Sequence, residues 1–296
     1  MKKAFIQLHA AVFLAGFTGI LGRLIHLNEA WIVWYRLVIT AVTMWLLFGL
    51  TGKLKKVAVR DILKIGAVGG VAALHWVTFY GSIKFANVSV ALVCFSAVGF
   101  FTAIMEPILE RKPFNRMELL LGLITIAAIY LIFHFDTDYQ TGIIVGIVSA
   151  FLGALFPIFN RQFLRRVNVE SMLAWQQTGG LIFLSAMMPL YLSWFPPTNP
   201  WPSLSDWGWL LVLAWICSVW AFQLSSQALR HLSAFTVNLT YNLEPVYGII
   251  LAFIVFKENQ YLSNWFYGGF AIIMCVLIVH GLILRREEAR LKLKNS

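Results

Sequence analysis

Ten long apolar runs constrain this chain more than any other feature of its sequence. They cover residues 5–25, 31–50, 63–83, 88–108, 117–135, 142–161, 172–194, 207–228, 234–256 and 264–284. A membrane-spanning helix needs about 20 mostly apolar residues, and these runs have that length. They are continuously apolar rather than alternating, and roughly twice as long as a barrel strand requires. The sequence therefore predicts an all-α integral membrane protein with ten transmembrane helices.

The composition agrees with this interpretation. The chain is 60% hydrophobic and only 12% charged, whereas a soluble domain is roughly 45–50% apolar and about 25% charged. The polar segments between the runs are short, and none is long enough to form a separate domain. We interpret the apolar N-terminus as the first span rather than as a cleaved signal peptide, because its apolar stretch continues to Ile25.

The distribution of basic residues predicts the orientation of the chain. With the N-terminus placed inside, 19 lysines and arginines fall at the inner ends of the spans and 3 at the outer ends. Positively charged residues collect on the cytoplasmic side of membrane proteins, so both termini should be cytoplasmic. The same rule explains the net charge of +10 without a nucleic-acid partner. In a bacterium this would be a protein of the inner membrane.

Sequence motifs that would support an enzyme or a metal site are missing. The three cysteines, Cys94, Cys217 and Cys275, lie in apolar runs without paired spacing, so we interpret them as packing residues. The six histidines show no zinc-protease spacing, and no nucleophile elbow or ATP-binding loop is present. We expect neither an enzyme nor a bound metal or cofactor.

Two stretches of the chain are similar and suggest an internal repeat. Glu110 begins ERKPFNRMELLLGLITIAAIYLIF, and Glu258 begins ENQYLSNWFYGGFAIIMCVLIVHG. Before them, Ser-Ala-Val at 96–98 aligns with Glu-Pro-Val at 244–246. Since each half would contain an odd number of spans, the two halves must enter the membrane from opposite sides. The predicted divisions are a first five-helix repeat at 1–138, a second at 139–284 and a charged cytoplasmic tail at 285–296.

With these features the chain resembles the EamA-type transporters of the drug/metabolite transporter superfamily. The resemblance covers nearly the whole sequence and rests on WYRLVITAV in the second run, LEPVYGIILAFIVFKEN in the ninth and the Glu-turn-Gly element that opens the last helix of each half. The first half departs from the family pattern with Ala97, where a proline is common. The resemblance implies a polytopic carrier, usually one that exports small metabolites such as amino acids.

Arg36 is a charge inside an otherwise apolar run, about six residues from its outer end. At about 1.5 Å per residue, this puts it on the order of 9 Å deep. A charge within a membrane is costly and should face a partner or water. Two alternatives remain open: the guanidinium reaches out to the interface or serves a structural pairing, or it faces a cavity and binds a substrate carboxylate.

Glu244 lies near the middle of the ninth run and is followed by Pro245. Proline interrupts the hydrogen bonding of a helix, and an interrupted helix with a carboxylate at the midplane is typical of transporter sites. Because apolar surroundings favour the neutral form of a carboxyl group, Glu244 could carry a proton. The alternative is a hydrogen-bonded glutamate that only ties helices together. Its polar neighbours, also candidates for the site, are Asn238, Tyr241 and Asn242.

Four further residues are candidates to line the site. His75 is either a proton relay or a hydrogen-bonded link between helices. Trp76 and Tyr80 either form an aromatic wall or pack in the core. Gln223 either bonds across helices or lines a hydrophilic route.

We therefore predict a secondary transporter that works by alternating access and exports small metabolites such as amino acids, by either proton-coupled or facilitated transport. The alternative is a non-transporting membrane scaffold or sensor. The expected partners are a small-molecule substrate and the lipid bilayer, and the sequence is compatible with a homodimer.

Overall fold

The computed structural model describes residues 2–135, 139–196, 199–232, 234–241 and 243–294. Over these residues the secondary structure is helical, and no strand occurs. The helices are α1 Lys2–Leu24, α2 Glu29–Leu50, α3 Val59–Phe85, α4 Val88–Phe95, α5 Val98–Glu110, α6 Arg116–Phe135, α7 Gln140–Phe163, α8 Val169–Trp194, α9 Leu204–Ala214, α10 Ala221–Leu229, α11 Ala234–Tyr241, α12 Glu244–Phe256 and α13 Asn264–Lys294. A π-helical turn, Trp215–Trp220, joins α9 to α10.

Every predicted span coincides with one or two of these helices. In the part of the chain that the structure describes, seven segments are long and apolar enough to cross a membrane: Lys2–Leu24, Glu29–Leu50, Val59–Phe85, Val88–Glu110, Gln140–Phe163, Leu204–Leu229 and Asn264–Ile283. The other three predicted spans are helical as α6, α8 and the pair α11–α12. The backbone of α13 continues as a helix to Lys294, so the predicted charged tail is largely an extension of that helix.

Short polar residues define where several helices begin. The side chain of Asn28 accepts a hydrogen bond from the Ala30 N–H at the start of α2, and Asn87 accepts one from Val90 in α4. Ser203 and Asp206 form a reciprocal capping box at the start of α9. Such caps satisfy N–H groups that have no partner inside the helix, which matters where little water is available.

Two spans consist of broken helices with the same geometry. Adding 146 to the bounds of α4 and α5 gives the bounds of α11 and α12. The two breaks also share a backbone hydrogen bond that spans three residues instead of the four of an α-helix. The Ala97 N–H donates to the Cys94 carbonyl, and the Leu243 N–H donates to the Thr240 carbonyl. This register pairs Glu244 with Val98, two residues away from the sequence alignment, which paired Glu244 with Ser96.

These two broken helices run antiparallel to each other. The carboxylate of Glu258, just after the end of α12, accepts hydrogen bonds from the backbone N–H groups of Val88 and Ser89 at the start of α4. The end of one broken span therefore meets the beginning of the other. This is the relation expected of two inverted halves, α1–α6 and α7–α13.

A close crossing of α3 and α8 joins the two halves. The Cβ of an alanine at position 69 would lie 2.0 Å from the carbonyl oxygen of Gln176, and one at 179 would lie 2.1 Å from the Cα of Gly66. Only glycine fits at these positions, because small residues let helix backbones approach each other. Gln176 also lines a cavity between the halves, so the crossing lies beside that cavity.

Candidate functional site

A cavity of about 990 Å³ of empty space, its mouth included, lies between the two halves. Its walls come from α1, α2, α3, α4 and α5 of the first half and from α7, α8, the π-helical turn, α10, α11 and α12 of the second. The polar and ionisable side chains that line it are Thr18, Arg36, His75, Asn160, Gln176, Gln177, Cys217, Ser225, Ser226, Tyr241 and Glu244. The aromatic rings are Trp76, Phe79, Phe95, Phe156 and Phe222. The walls are therefore mostly apolar with a few polar groups, as in small-molecule sites generally.

Arg36 faces this cavity and does not reach out to the interface. Only 3% of the residue is exposed. Its Nε donates to the hydroxyl oxygen of Ser218 at 2.7 Å, and its Nη1 donates to the Tyr80 hydroxyl at 3.0 Å. The guanidinium also lies 4.3 Å from the centre of the Trp76 ring. Such partners stabilise a buried cation and fix the direction in which its remaining donors point.

Ser218 occupies the π-helical turn between α9 and α10 and could not be identified from the sequence. Its hydroxyl donates to the carbonyl of Leu213, five residues earlier, at 2.9 Å. Since its proton is used there, its oxygen is left to accept from Arg36. π-Helical turns often occur at functional sites, and here the turn delivers the acceptor that holds the arginine.

Glu244 lies on the cavity wall contributed by the second half. It is the first residue of α12, is 5% exposed and precedes Pro245 at the start of that helix. The positive end of a helix favours a carboxylate at this place. Glu244 and Arg36 interact electrostatically, so the cavity presents an acidic and a basic group from opposite halves.

His75 links two helices and also lines the cavity. Its Nδ1 lies 2.9 Å from the Ser149 carbonyl oxygen on α7. A carbonyl can only accept, so Nδ1 carries the proton and donates it. The Ser149 hydroxyl lies 3.0 Å from the carbonyl oxygen of His75 and donates to it in return. The structural link proposed from the sequence is therefore present.

Amide side chains define the end of the cavity near α8. Asn160 and Gln176 form a reciprocal pair, with nitrogen-to-oxygen distances of 3.3 and 3.1 Å, and Gln177 lines the cavity beside them. Gln223 is half-buried but lies outside the lining, so the structure does not bring it to the site. The hydroxyls that face the cavity from α10 belong to Ser225 and Ser226.

The other predicted site residues are placed as follows. Trp76 forms part of the wall and stacks on Phe222, with ring centres 5.4 Å apart and planes 8° apart. Tyr80 is fully buried behind Arg36 and contacts it directly. Tyr241 lines the cavity. Asn242 lies outside the described residues, as does the side chain of Asn238.

The arrangement is suited to bind a small molecule with opposite charges. Arginine presents planar donors that match a carboxylate, while a glutamate accepts from an ammonium group. The rings of Trp76 and Phe222 line the same cavity and offer an apolar surface to the rest of the molecule. Among the described residues, no group of three or more histidine, cysteine or acidic side chains could hold a metal ion.

A mostly apolar cavity with a few polar side chains, placed between two antiparallel helical halves, is typical of membrane transporters. The chain belongs to the EamA-like transporter family, whose model matches residues 2–134 and again residues 140–280. The family model therefore covers the chain in two repeats.

Comparisons with individual proteins are limited to the fold. One solved structure, described only as the crystal structure of a protein, is similar with a TM-score of 0.69 and 16% identity, over 97% of this chain and 99% of that one. No curated protein matches the chain. The family match and the apolar helices together identify an integral membrane protein related to transporters.

Proposed function

We propose that this protein is a secondary transporter that exports small zwitterionic metabolites such as amino acids, with ten spans in two inverted five-helix repeats and both termini in the cytoplasm. The observation that carries the proposal is the presence of Arg36 and Glu244 in the lining of one cavity, where they interact electrostatically and each is supplied by a different half. A carboxylate bound at Arg36 and an ammonium at Glu244 would place a side chain against the aromatic wall.

Alternating access follows from the same placement. Because the cavity is lined by both halves, a rocking motion of one half against the other would open it first to one side and then to the other. A carboxyl group buried beside the substrate is also suited to exchange a proton for it, so we propose a proton gradient as the energy source.

The test is counterflow in proteoliposomes. Vesicles loaded with an unlabelled L-amino acid should accumulate the same radiolabelled compound from outside, for a panel that includes L-phenylalanine, L-leucine and L-alanine. We expect saturable counterflow for at least one member, and no counterflow for phenethylamine, which lacks the carboxylate. Absence of counterflow across the panel would contradict the proposal and favour a non-transporting scaffold or sensor.

A further inference from the structure

A buried ion-pair cluster joins the two halves at the end of the bundle where α1 ends. Glu258, whose side chain is 3% exposed, forms an ion pair with Arg23 at the end of α1. The same carboxylate accepts from the N–H of Val88 at 3.1 Å, from the N–H of Ser89 at 2.9 Å and from the Ser89 hydroxyl at 2.5 Å. Glu258 belongs to the second half and all its partners belong to the first. We call this set the α1-end cluster.

A second cluster joins the halves at the opposite end of the bundle, where α7 ends. Arg161 of the second half lies 3.3 Å from Glu110 and 3.7 Å from Glu106, both on α5 of the first half. Lys112 forms ion pairs with the same two glutamates. The side chains of Glu106 and Glu110 are 8% and 5% exposed. We call this set the α7-end cluster.

The two clusters occupy corresponding places in the two halves. Each adjoins the end of a 13-residue helix, α5 or α12, that follows the break in its span. Each of these helices ends at a residue in the left-handed conformation, Arg111 with φ of 54° or Lys257 with φ of 53°. In each cluster the arginine comes from the last turn of the first helix of a half, α1 or α7.

We infer that the two clusters are latches, each of which holds its own face of the transporter closed. The inference depends on the alternating access proposed above, because rocking the halves apart at one face must separate the charges there. Separation leaves Glu258 without its cation at the α1 end, and at the α7 end it leaves Glu106 and Glu110 to share Lys112 alone. Both results are costly for buried carboxylates. Each latch therefore stabilises the closed form of its own face, and weakening one latch should shift the population towards opening at that face.

The thiol of Cys217 can be used to measure this shift in population. Cys217 lines the cavity and is 2% exposed. In a protein where Cys94 and Cys275 are replaced by alanine, a membrane-impermeant thiosulfonate reagent should reach Cys217 only through an open face. Its labelling rate can be measured from the α1-end side and from the α7-end side, in membrane vesicles of the two orientations.

The variants are Arg23→Gln and Arg161→Gln, chosen because these arginines are more exposed than the glutamates they pair with. We expect Arg23→Gln to raise the labelling rate from the α1-end side about two- to fivefold, the range that a partly exposed ion pair supports, and to lower it from the other side. Arg161→Gln should do the reverse. Arg23→Lys keeps the charge and should restore most of the parent rates.

Matched controls remove a cation without removing a link between the halves. Arg60→Gln changes an exposed cation in the first turn of α3, and Arg111→Gln changes an exposed cation next to Lys112. Neither should change the balance between the two sides. The inference would be overturned if Arg23→Gln and Arg161→Gln left the ratio of the two labelling rates as it is in the parent protein. A change of that ratio as large in the control variants would also overturn it.

The labelling experiment uses no substrate, so its outcome is separate from that of the counterflow experiment. Latch variants without any shift, in a protein that still shows counterflow, would reject the latches and leave the transport proposal intact. A side-specific shift without counterflow would support the latches and reject the proposed substrates.

Discussion

At the scale of single residues, the cavity depends on how Arg36 is held. A guanidinium away from water is unfavourable unless its donors are used, and here the neighbours supply an acceptor at Nε, an acceptor at Nη1 and an aromatic face. These partners come from α3 and from the π-helical turn. The fixed orientation of the side chain is therefore a property of the folded bundle and not of α2 alone.

Replacing Arg36 by lysine should weaken substrate binding. A lysine keeps the charge but loses the planar fork, the Nε contact with Ser218 and the stacking on Trp76. Since a hydrogen bond to a charged group contributes about 1.5–3 kcal/mol, we expect the apparent affinity for an amino acid that shows counterflow to fall about tenfold or more. The measurement is the concentration dependence of counterflow. Arg166→Lys, at an ion pair with Asp61 on the surface, is the control and should change nothing.

An unchanged affinity in Arg36→Lys would show that the arginine serves packing alone. The same result would also remove Arg36 as the group that binds the substrate's carboxylate. The role of Glu244 in binding the ammonium group would not be affected by this result.

Glu244→Gln should uncouple transport from the proton gradient. Glutamine has a similar shape and can still accept and donate hydrogen bonds, but it cannot release a proton. We expect counterflow of the substrate to persist at lower affinity, because the ammonium group loses its charged partner, while accumulation driven by a pH gradient disappears. Glu170→Gln makes the same chemical change near the start of α8, away from the cavity lining, and should retain gradient-driven accumulation. Gradient-driven accumulation at the parent level in Glu244→Gln would exclude Glu244 as the proton carrier.

Part of this site could be predicted from the sequence, and part could not. Arg36 and Glu244 are visible because an ionisable residue in an apolar run is a signal on its own. Ser218 is not visible, because a serine in a membrane helix is common and its meaning comes from the π-helical turn and from Arg36, 182 residues away. The same holds for Asn160 and Gln176, whose pairing depends on how α7 and α8 pack.

At the scale of helices, the two broken spans show what a local sequence signal can and cannot indicate. The break before α12 was predicted from Pro245. The corresponding break before α5 was not predicted, since Gly99 occupies the place of that proline and Ala97 the place of Leu243. Both breaks have the same tightened hydrogen bond, so proline is not required for the bend. Contacts with the rest of the bundle must stabilise it in the first half.

The crossing of α3 and α8 gives a prediction about stability. Gly179→Ala should destabilise the protein by roughly 1–3 kcal/mol, because the new methyl group would meet the backbone of Gly66, which cannot rotate away. Gly208→Ala is the matched control. Among the described residues, no atom outside the backbone of its own helix lies within 4 Å of the new Cβ, and alanine favours a helix over glycine by up to about 1 kcal/mol. Thermal unfolding in detergent should show a lower midpoint for the first variant and an equal or higher one for the second. A Gly179→Ala protein as stable as Gly208→Ala would mean that α3 and α8 do not approach as closely as described.

At the scale of the whole molecule, the inverted relation of the halves accounts for features that would otherwise be separate. It explains why α4 meets the end of α12, why the broken spans share one register, and why one charge cluster lies at each end of the bundle.

Inversion can be tested at two positions that correspond in the 146-residue register, Phe114 and Gln260. Both are exposed and follow the second helix of a broken span. In a protein without its natural cysteines, Phe114→Cys and Gln260→Cys should react with an impermeant maleimide from opposite faces of the membrane. Because basic residues collect inside, Gln260→Cys should react in intact cells and Phe114→Cys only after the membrane is opened. Two parallel halves would instead place both cysteines on one face, and the cavity could then not alternate between the two sides by rocking of equivalent halves.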